Sequence, residues 1–211
     1  MYTFVERLFK HITMEAQEKR DFIIRKCYKL LLLKGFDGVS ISDIQKECGV
    51  ARGLLYHYFG SKEELFYEVV SNIILPQFII SKSHVSNLNL RDTLLYICNQ
   101  HHQICLTDEL QGVSLLNYDF LIYRTAQESP LIGKQYEDIR KQEQEVIVGG
   151  IERSIANGEM RADVNHAELA QLITSLIDGT WLNALSQGDP ELLITQLKKM
   201  VELNLHLLNH K

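Results

Sequence analysis

A chain of 211 residues, 45% of them hydrophobic, is long enough to bury a sizeable core as one large or two small domains, and three prolines with no alternating β-branched segment argue against a β fold and for an all-α one. The net charge of −5 has an unusual sign for a nucleic-acid binder, but it is unevenly placed: residues 14–65 carry 9 Lys and Arg against 8 Asp and Glu, whereas residues 66–211 carry 11 against 18. No run of about 18 apolar residues exists and residues 1–13 hold Glu6, Arg7 and Lys10, so neither a membrane span nor a signal peptide is expected and the predicted location is cytoplasmic.

In chain order, a first helix is predicted over about residues 15–33, with Leu30 to Leu33 apolar all round and therefore sandwiched between neighbours. Met14 is a candidate start, with residues 1–13 an extension. Ser40 and Asp43 have the Ser-x-x-Asp spacing of a capping box, so a second helix begins at Ile41. Its apolar face is Ile41, Ile44 and Cys48, while Asp43, Lys46 and Glu47 point outward. Gly49 ends it, because glycine accepts the left-handed conformation there. A third helix of about two turns fits Arg52–Phe59, with Leu55 and Phe59 inward and Arg52, Gly53, Leu54, Tyr56 and His57 outward. Too short to stand alone, with a glycine near its start and a cation and aromatics outside, it suits close approach to a duplex groove. Ser61 caps a fourth helix at Lys62, and Pro76 kinks or ends it. Further helices are predicted around residues 90–106, 113–128, 130–157, 166–187 and 190–209. Gly112, Ser129-Pro130, Gly158 and Gly188-Asp189-Pro190 separate them.

Gly35-Phe36, the Ile44-x-x-x-Cys48-Gly49-Val50 turn, Gly53-Leu-Leu-Tyr-His-Tyr-Phe59 and Ser61-Lys-Glu-Glu-Leu65 together resemble the N-terminal domain of the TetR family of bacterial transcriptional regulators. The resemblance extends weakly upstream through Ile24, Cys27, Leu30 and Leu31. Downstream it takes in Gly158-Glu-Met-Arg-Ala-Asp-Val164 and Ile177-Asp-Gly179. Gln45, Cys48, Ala51 and Leu54 depart from the commonest family pattern; Ala51 replaces the usual capping hydroxyl, and Leu54 replaces a threonine. The resemblance implies an all-α protein with a helix-turn-helix domain over residues 14–65 and a helical ligand-binding and dimerisation domain over residues 66–211. It also implies a homodimer on near-palindromic double-stranded operator DNA, most simply a repressor released by a small organic effector, with no enzyme activity and no cofactor.

On that reading Tyr56 and Lys62 grip phosphates, Arg52, Leu54 and His57 read bases, and Ser40 and Gly53 complete the surface. Tyr58 fits either the core or the surface. Tyr96, His101, His102, Asn117, Tyr118, Phe120, Tyr123 and Asp178 offer the aromatic wall with a few polar groups of an organic-ligand cavity. Two apolar stripes, Leu169, Leu172, Ile173, Leu176 and Ile177 on one helix and Leu193, Leu197, Met200, Val201 and Leu208 on the next, suggest a four-helix dimer interface. Trp181 either anchors that interface or lines the pocket. Four cysteines without a C-x-x-C pair fit reduced thiols. The spacing of Cys98, His101, His102 and Cys105 also suits soft metal ligands, but one helix does not close a tetrahedral site, so no metal is expected. The competing readings are a helical metal sensor or enzyme centred on that cluster, or a protein-binding adaptor on the same fold.

Overall fold

The computed structural model describes residues 4–107, 113 and 115–208, and every regular element among them is helical. Gly112 lies outside the described residues, as does the side chain of Leu193. Helix α1 (Phe4–Gly38) is longer than expected and bends at Gly35, where φ is 70°. Leu30, Leu31 and Leu32 are buried, but Leu33 is 65% exposed, so the leucine run is covered on three sides only.

Helices α2 (Ile41–Cys48), α3 (Arg52–Phe59) and α4 (Lys62–Val69) close a small domain against α1. The capping box forms as the spacing predicts: Asp43 N donates to Ser40 Oγ at 3.2 Å, and Ser40 N donates to Asp43 Oδ2 at 2.9 Å. Gly49 stops α2 in the left-handed conformation at φ 65°. Ala51 sits in extended backbone at the start of α3 with no side-chain cap, as its methyl requires. Leu55 and Phe59 turn inward with Ile44, Cys48 and Phe66, and the Phe36 ring meets Phe66 edge-on at 4.9 Å.

Beyond Val69 the helical path loosens into a π turn (Val70–Ile74) and then tightens into a 3-10 turn (Leu75–Phe78). Pro76 brings no N–H and cannot continue an α ladder, which accounts for the change of winding. Gln100 Nε2 donates to the carbonyls of Gln77 and Ile79 at 2.7 and 3.1 Å, and Gln142 Nε2 donates to Ile80 O at 2.9 Å. These bonds take up backbone acceptors that the broken helix leaves free. A single turn, α5 (Lys82–Val85), follows and is not foreshadowed by the sequence.

The body comprises α6 (Leu90–Cys105), α7 (Leu115–Glu128), α8 (Pro130–Ala156), α9 (His166–Gln187) and α10 (Pro190–Leu208). Helix α6 packs on α8 and α10, α7 on α8 and α9, and α9 on α10. Gly150 permits the α8–α6 approach, since a Cβ there would stand 3.0 Å from Thr93 Oγ1 and 3.2 Å from Leu90 Cα. Ser154 Oγ and Arg153 bind the backbone around the start of α6. Arg124 of α7 joins body to head, pairing with Asp37 and stacking 4.4 Å from the centre of the Phe36 ring.

Candidate functional site

Two features bear chemistry: the outer face of α3 and a cavity in the body. On α3 the buried pair Leu55 and Phe59 fixes the rotation of the helix, so Arg52, Gly53, Tyr56 and His57 face solvent while Leu54 and Tyr58 are half-buried. Arg52 and Tyr56, four residues apart, form one unit. The guanidinium lies 5.5 Å from the ring centre, and Nη2 donates to the phenol oxygen at 3.3 Å. A Cβ on Gly53 would meet nothing within 4 Å, so no packing inside the protein asks for a glycine there. Lys62 Nζ rests 5.3 Å from the Phe66 ring centre and donates to Val39 O at 3.3 Å. An ammonium has three N–H donors, so the remaining ones are available to a phosphate. The Ser40 hydroxyl is engaged differently, because it accepts from Asp43 N and donates to Asp43 Oδ2 at 2.6 Å. Its observed work is capping. Lys34 and Ser40 together hold the Asp43 carboxyl well below the usual range, which keeps that cap ionised.

The cavity has a volume of about 40 Å³ and lies where the 3-10 turn meets α6, α7, α8 and α9. Of the residues expected in a pocket, His101, Tyr123, Asp178 and Trp181 line it. Tyr118 is buried behind it, 6.2 Å from the Phe78 ring. Four others stand elsewhere. Tyr96 pairs with His84 Nδ1 at 3.2 Å, His102 Nε2 is 3.5 Å from Glu191, Phe120 is 66% exposed, and Asn117 lines a separate surface groove with Phe36 and Arg124. The sequence reading missed Phe78, Asp119, Tyr136, Arg140 and Glu143, which line the cavity together with the aliphatic Leu75, Ile122 and Ile139. The i, i+3, i+4 and i+7 spacing of Tyr136, Ile139, Arg140 and Glu143 was the available signal, since it sets all four along one face of α8.

The chemistry of the cavity is acidic and aromatic. Arg140 Nη1 donates to Glu143 Oε2 at 2.7 Å, and Nη2 donates to Asp178. Trp181 Nε1 donates to Asp119 Oδ1 at 3.0 Å. Burial pushes the Glu143 carboxyl up to about 7 against the pull of Arg140, and burial also raises Asp119 and Asp178. Burial, then Arg140, lowers His101 to about 4, so this imidazole is neutral near pH 7. The rings of Phe78 and Trp181 flank His101 at 5.7 and 5.3 Å.

The remaining expected sites divide. Cys98 and Cys105 are buried, and burial pushes both thiols up to about 12, far from the thiolate that binds metals or attacks carbon. Among the described residues no three His, Cys, Asp or Glu side chains come together as an ion site. The stripes of α9 and α10 are not one surface. Ile173, Ile177, Leu197 and Val201, expected at an interface, are buried in the protomer's own core, and Leu169 and Met200 are half-buried. Leu172 and Leu176 are exposed, and Leu182 and Leu203 join them as exposed leucines. Among the described residues no helix is long and apolar enough to cross a membrane.

Residues 23–69 match the model of bacterial regulatory proteins of the tetR family. The HTH-type transcriptional regulator YvdT of Bacillus subtilis (strain 168) is 26% identical over 79% of this chain and 82% of its own. The HTH-type transcriptional repressor BepR of Brucella suis biovar 1 (strain 1330) is 21% identical over 83% of this chain and 84% of its own. A protein from Saccharomonospora viridis, solved in complex with choline, superimposes with a TM-score of 0.73 at 21% identity, covering 89% of this chain and 97% of that one; at this identity the likeness speaks for the fold alone.

Proposed function

We propose, from the premise that this chain belongs to the tetR family of bacterial regulatory proteins, that it is a helix-turn-helix repressor acting as a homodimer, with residues 14–65 as the reading head and residues 66–211 as the sensing and dimerising body. The observation that carries this reading is the outer face of α3. It presents a bare glycine, with open space around it, beside an Arg52–Tyr56 pair and His57, on a helix whose rotation is locked by Leu55 and Phe59. Such a face lets backbone approach a groove closely while the guanidinium reaches base edges and the phenol reaches phosphate. The even charge of the head makes binding modest in strength and sensitive to salt.

Regulation is a difference in effector affinity between two arrangements of the heads. Leu75 and Phe78 line the cavity and continue the same stretch of chain as α4, which packs on α3. A small organic effector that shifts the 3-10 turn therefore has a covalent path to the reading head. Exposed Leu172 and Leu176, one turn apart on α9, offer an apolar patch to a second copy.

Selection of duplexes from a random pool, followed by affinity measurements at several salt concentrations, tests the head. Arg52→Ala is expected to lose roughly 1–3 kcal/mol and to relax preference at one base position. Tyr56→Ala and Lys62→Ala are expected to weaken binding to all duplexes alike. Equal binding of the selected operator by wild type and by the Tyr56→Ala, Lys62→Ala double variant would assign DNA binding to another surface.

A further inference from the structure

We propose that the cavity recognises a protonated primary amine, whose ammonium head donates to Glu143 Oε1 and His101 Nδ1 beside the Asp119 carboxylate. The inference rests on the reading of the body as a sensing domain and adds the chemistry of what is sensed.

Charge comes first. Three carboxylates, Asp119, Glu143 and Asp178, face the cavity with a single cation, Arg140. Both guanidinium arms of Arg140 are already taken by Glu143 and Asp178. An anionic ligand would have to displace one of these carboxylates and then sit against the others, whereas a cation is the ligand that favours their ionised form. A cation in the cavity pulls all three carboxyls down again, offsetting the burial that raises them.

Hydrogen bonding narrows the class. Glu143 is 4% exposed and His101 7% exposed, and neither Glu143 Oε1 nor His101 Nδ1 finds a partner within the protein. Neutral His101, as its Nε2–H tautomer, would accept at Nδ1, and with Glu143 Oε1 the residues of the cavity wall then offer two unanswered acceptors. A primary ammonium carries three N–H donors and answers both. A quaternary ammonium carries none and leaves both orphaned in a buried site. Phe78 and Trp181 pack edge-on against His101, and Tyr123 against Tyr136 at 5.8 Å, so aromatic rings surround these acceptors.

Size completes the description. A volume of about 40 Å³ has room for about three waters, which suits an ammonium head on a short methylene and not a bulky body. Tyr123 is 47% exposed and marks the way by which the rest of the molecule reaches solvent.

Calorimetry and thermal melting of the full chain with benzylammonium, benzyl alcohol, benzyltrimethylammonium and benzoate separate the possibilities, since all four share one aryl body. Benzylammonium is expected to bind at least about tenfold tighter than the alcohol and the quaternary cation, with benzoate weakest. Glu143→Gln is expected to melt no lower than wild type while losing most of the preference for ammonium over alcohol; Asp119→Asn should lose part of it. Equal binding of amine and alcohol, tighter binding of benzoate or the quaternary cation, unchanged preference in a folded Glu143→Gln variant, or no melting shift with any of the four would each overturn the proposal. Operator release is measured separately. Benzylammonium that binds without changing operator affinity sustains the amine site and counts against sensing, whereas release by neutral or anionic compounds alone sustains sensing and overturns the amine.

Discussion

Glu143 and His101 face the same cavity and shift in opposite directions, which makes the pH dependence of stability a readable signal. A carboxyl raised from 4.5 to about 7 holds its proton more tightly in the folded chain, so its contribution to stability falls as pH climbs between those values. An imidazole lowered from 6.5 to about 4 binds its proton more weakly when folded, so its contribution rises from pH 4 to 6.5. In the wild type the two slopes oppose each other below pH 6.5. Glu143→Gln keeps an acceptor for Arg140 but removes the falling branch. Relative to wild type it is expected to gain on the order of 2–3 kcal/mol between pH 5 and pH 8. Urea unfolding of both proteins at the two pH values checks this; parallel profiles would mean that Glu143 is not the group that titrates.

At the scale of single elements, α3 trades stability for access. Its first position lacks a cap, because Ala51 offers no oxygen to the free amides, and its second residue is a helix-weakening glycine that nothing in the protein crowds. Ala51→Ser is therefore expected to raise unfolding free energy by about 1 kcal/mol with the urea slope unchanged. Gly53→Ala is expected to add roughly 0.5–1 kcal/mol of stability, since the new methyl has free space in the protein, and on the proposed reading to weaken operator binding by holding the backbone off the groove. A Gly53→Ala variant that bound DNA as tightly as wild type would remove Gly53 from the interface. The π and 3-10 turns are the second element of note. They lead from α4 into the cavity wall, and the carbonyls of Gln77, Ile79 and Ile80, at and just past their end, are held by Gln100 and Gln142.

For the whole molecule, burial separates two kinds of leucine that the α9 and α10 stripes ran together. Leu197 is fully buried in the protomer, so Leu197→Glu places an unpaired charge in a core and is expected to unfold the chain at any concentration. Leu176 is 37% exposed beside Leu172, so Leu176→Glu is expected to leave the protomer folded and to weaken only its association with a second copy. Light scattering together with circular dichroism reads the contrast. A folded wild type that stays monomeric at micromolar concentration would overturn the dimer, and with it the paired heads on a near-palindromic operator.

The elements whose cause lies within a few residues were legible in the sequence. The Ser40–Asp43 capping box, the left-handed Gly49, the bounds of α3 and the span of α9 depend on local hydrogen bonds and backbone sterics, and these act over one helical turn. The orientation of Leu55 and Phe59 also followed, because an i, i+4 apolar pair on so short a helix has only one way to be buried. The cavity was only partly legible. His101, Tyr123, Asp178 and Trp181 drew notice as types, but Phe78, Tyr136, Arg140 and Glu143 meet them from a turn and a helix distant in sequence. Tyr96 and Phe120 have the right chemistry and lie on the wrong faces. Leu172 and Ile173 show the limit most plainly: adjacent in sequence and alike in hydrophobicity, one is exposed and the other fully buried. Local spacing determines that a helix forms and which residues share a side, whereas the rotation of each helix against its neighbours, set by packing over the whole body, decides which side becomes core, cavity or surface.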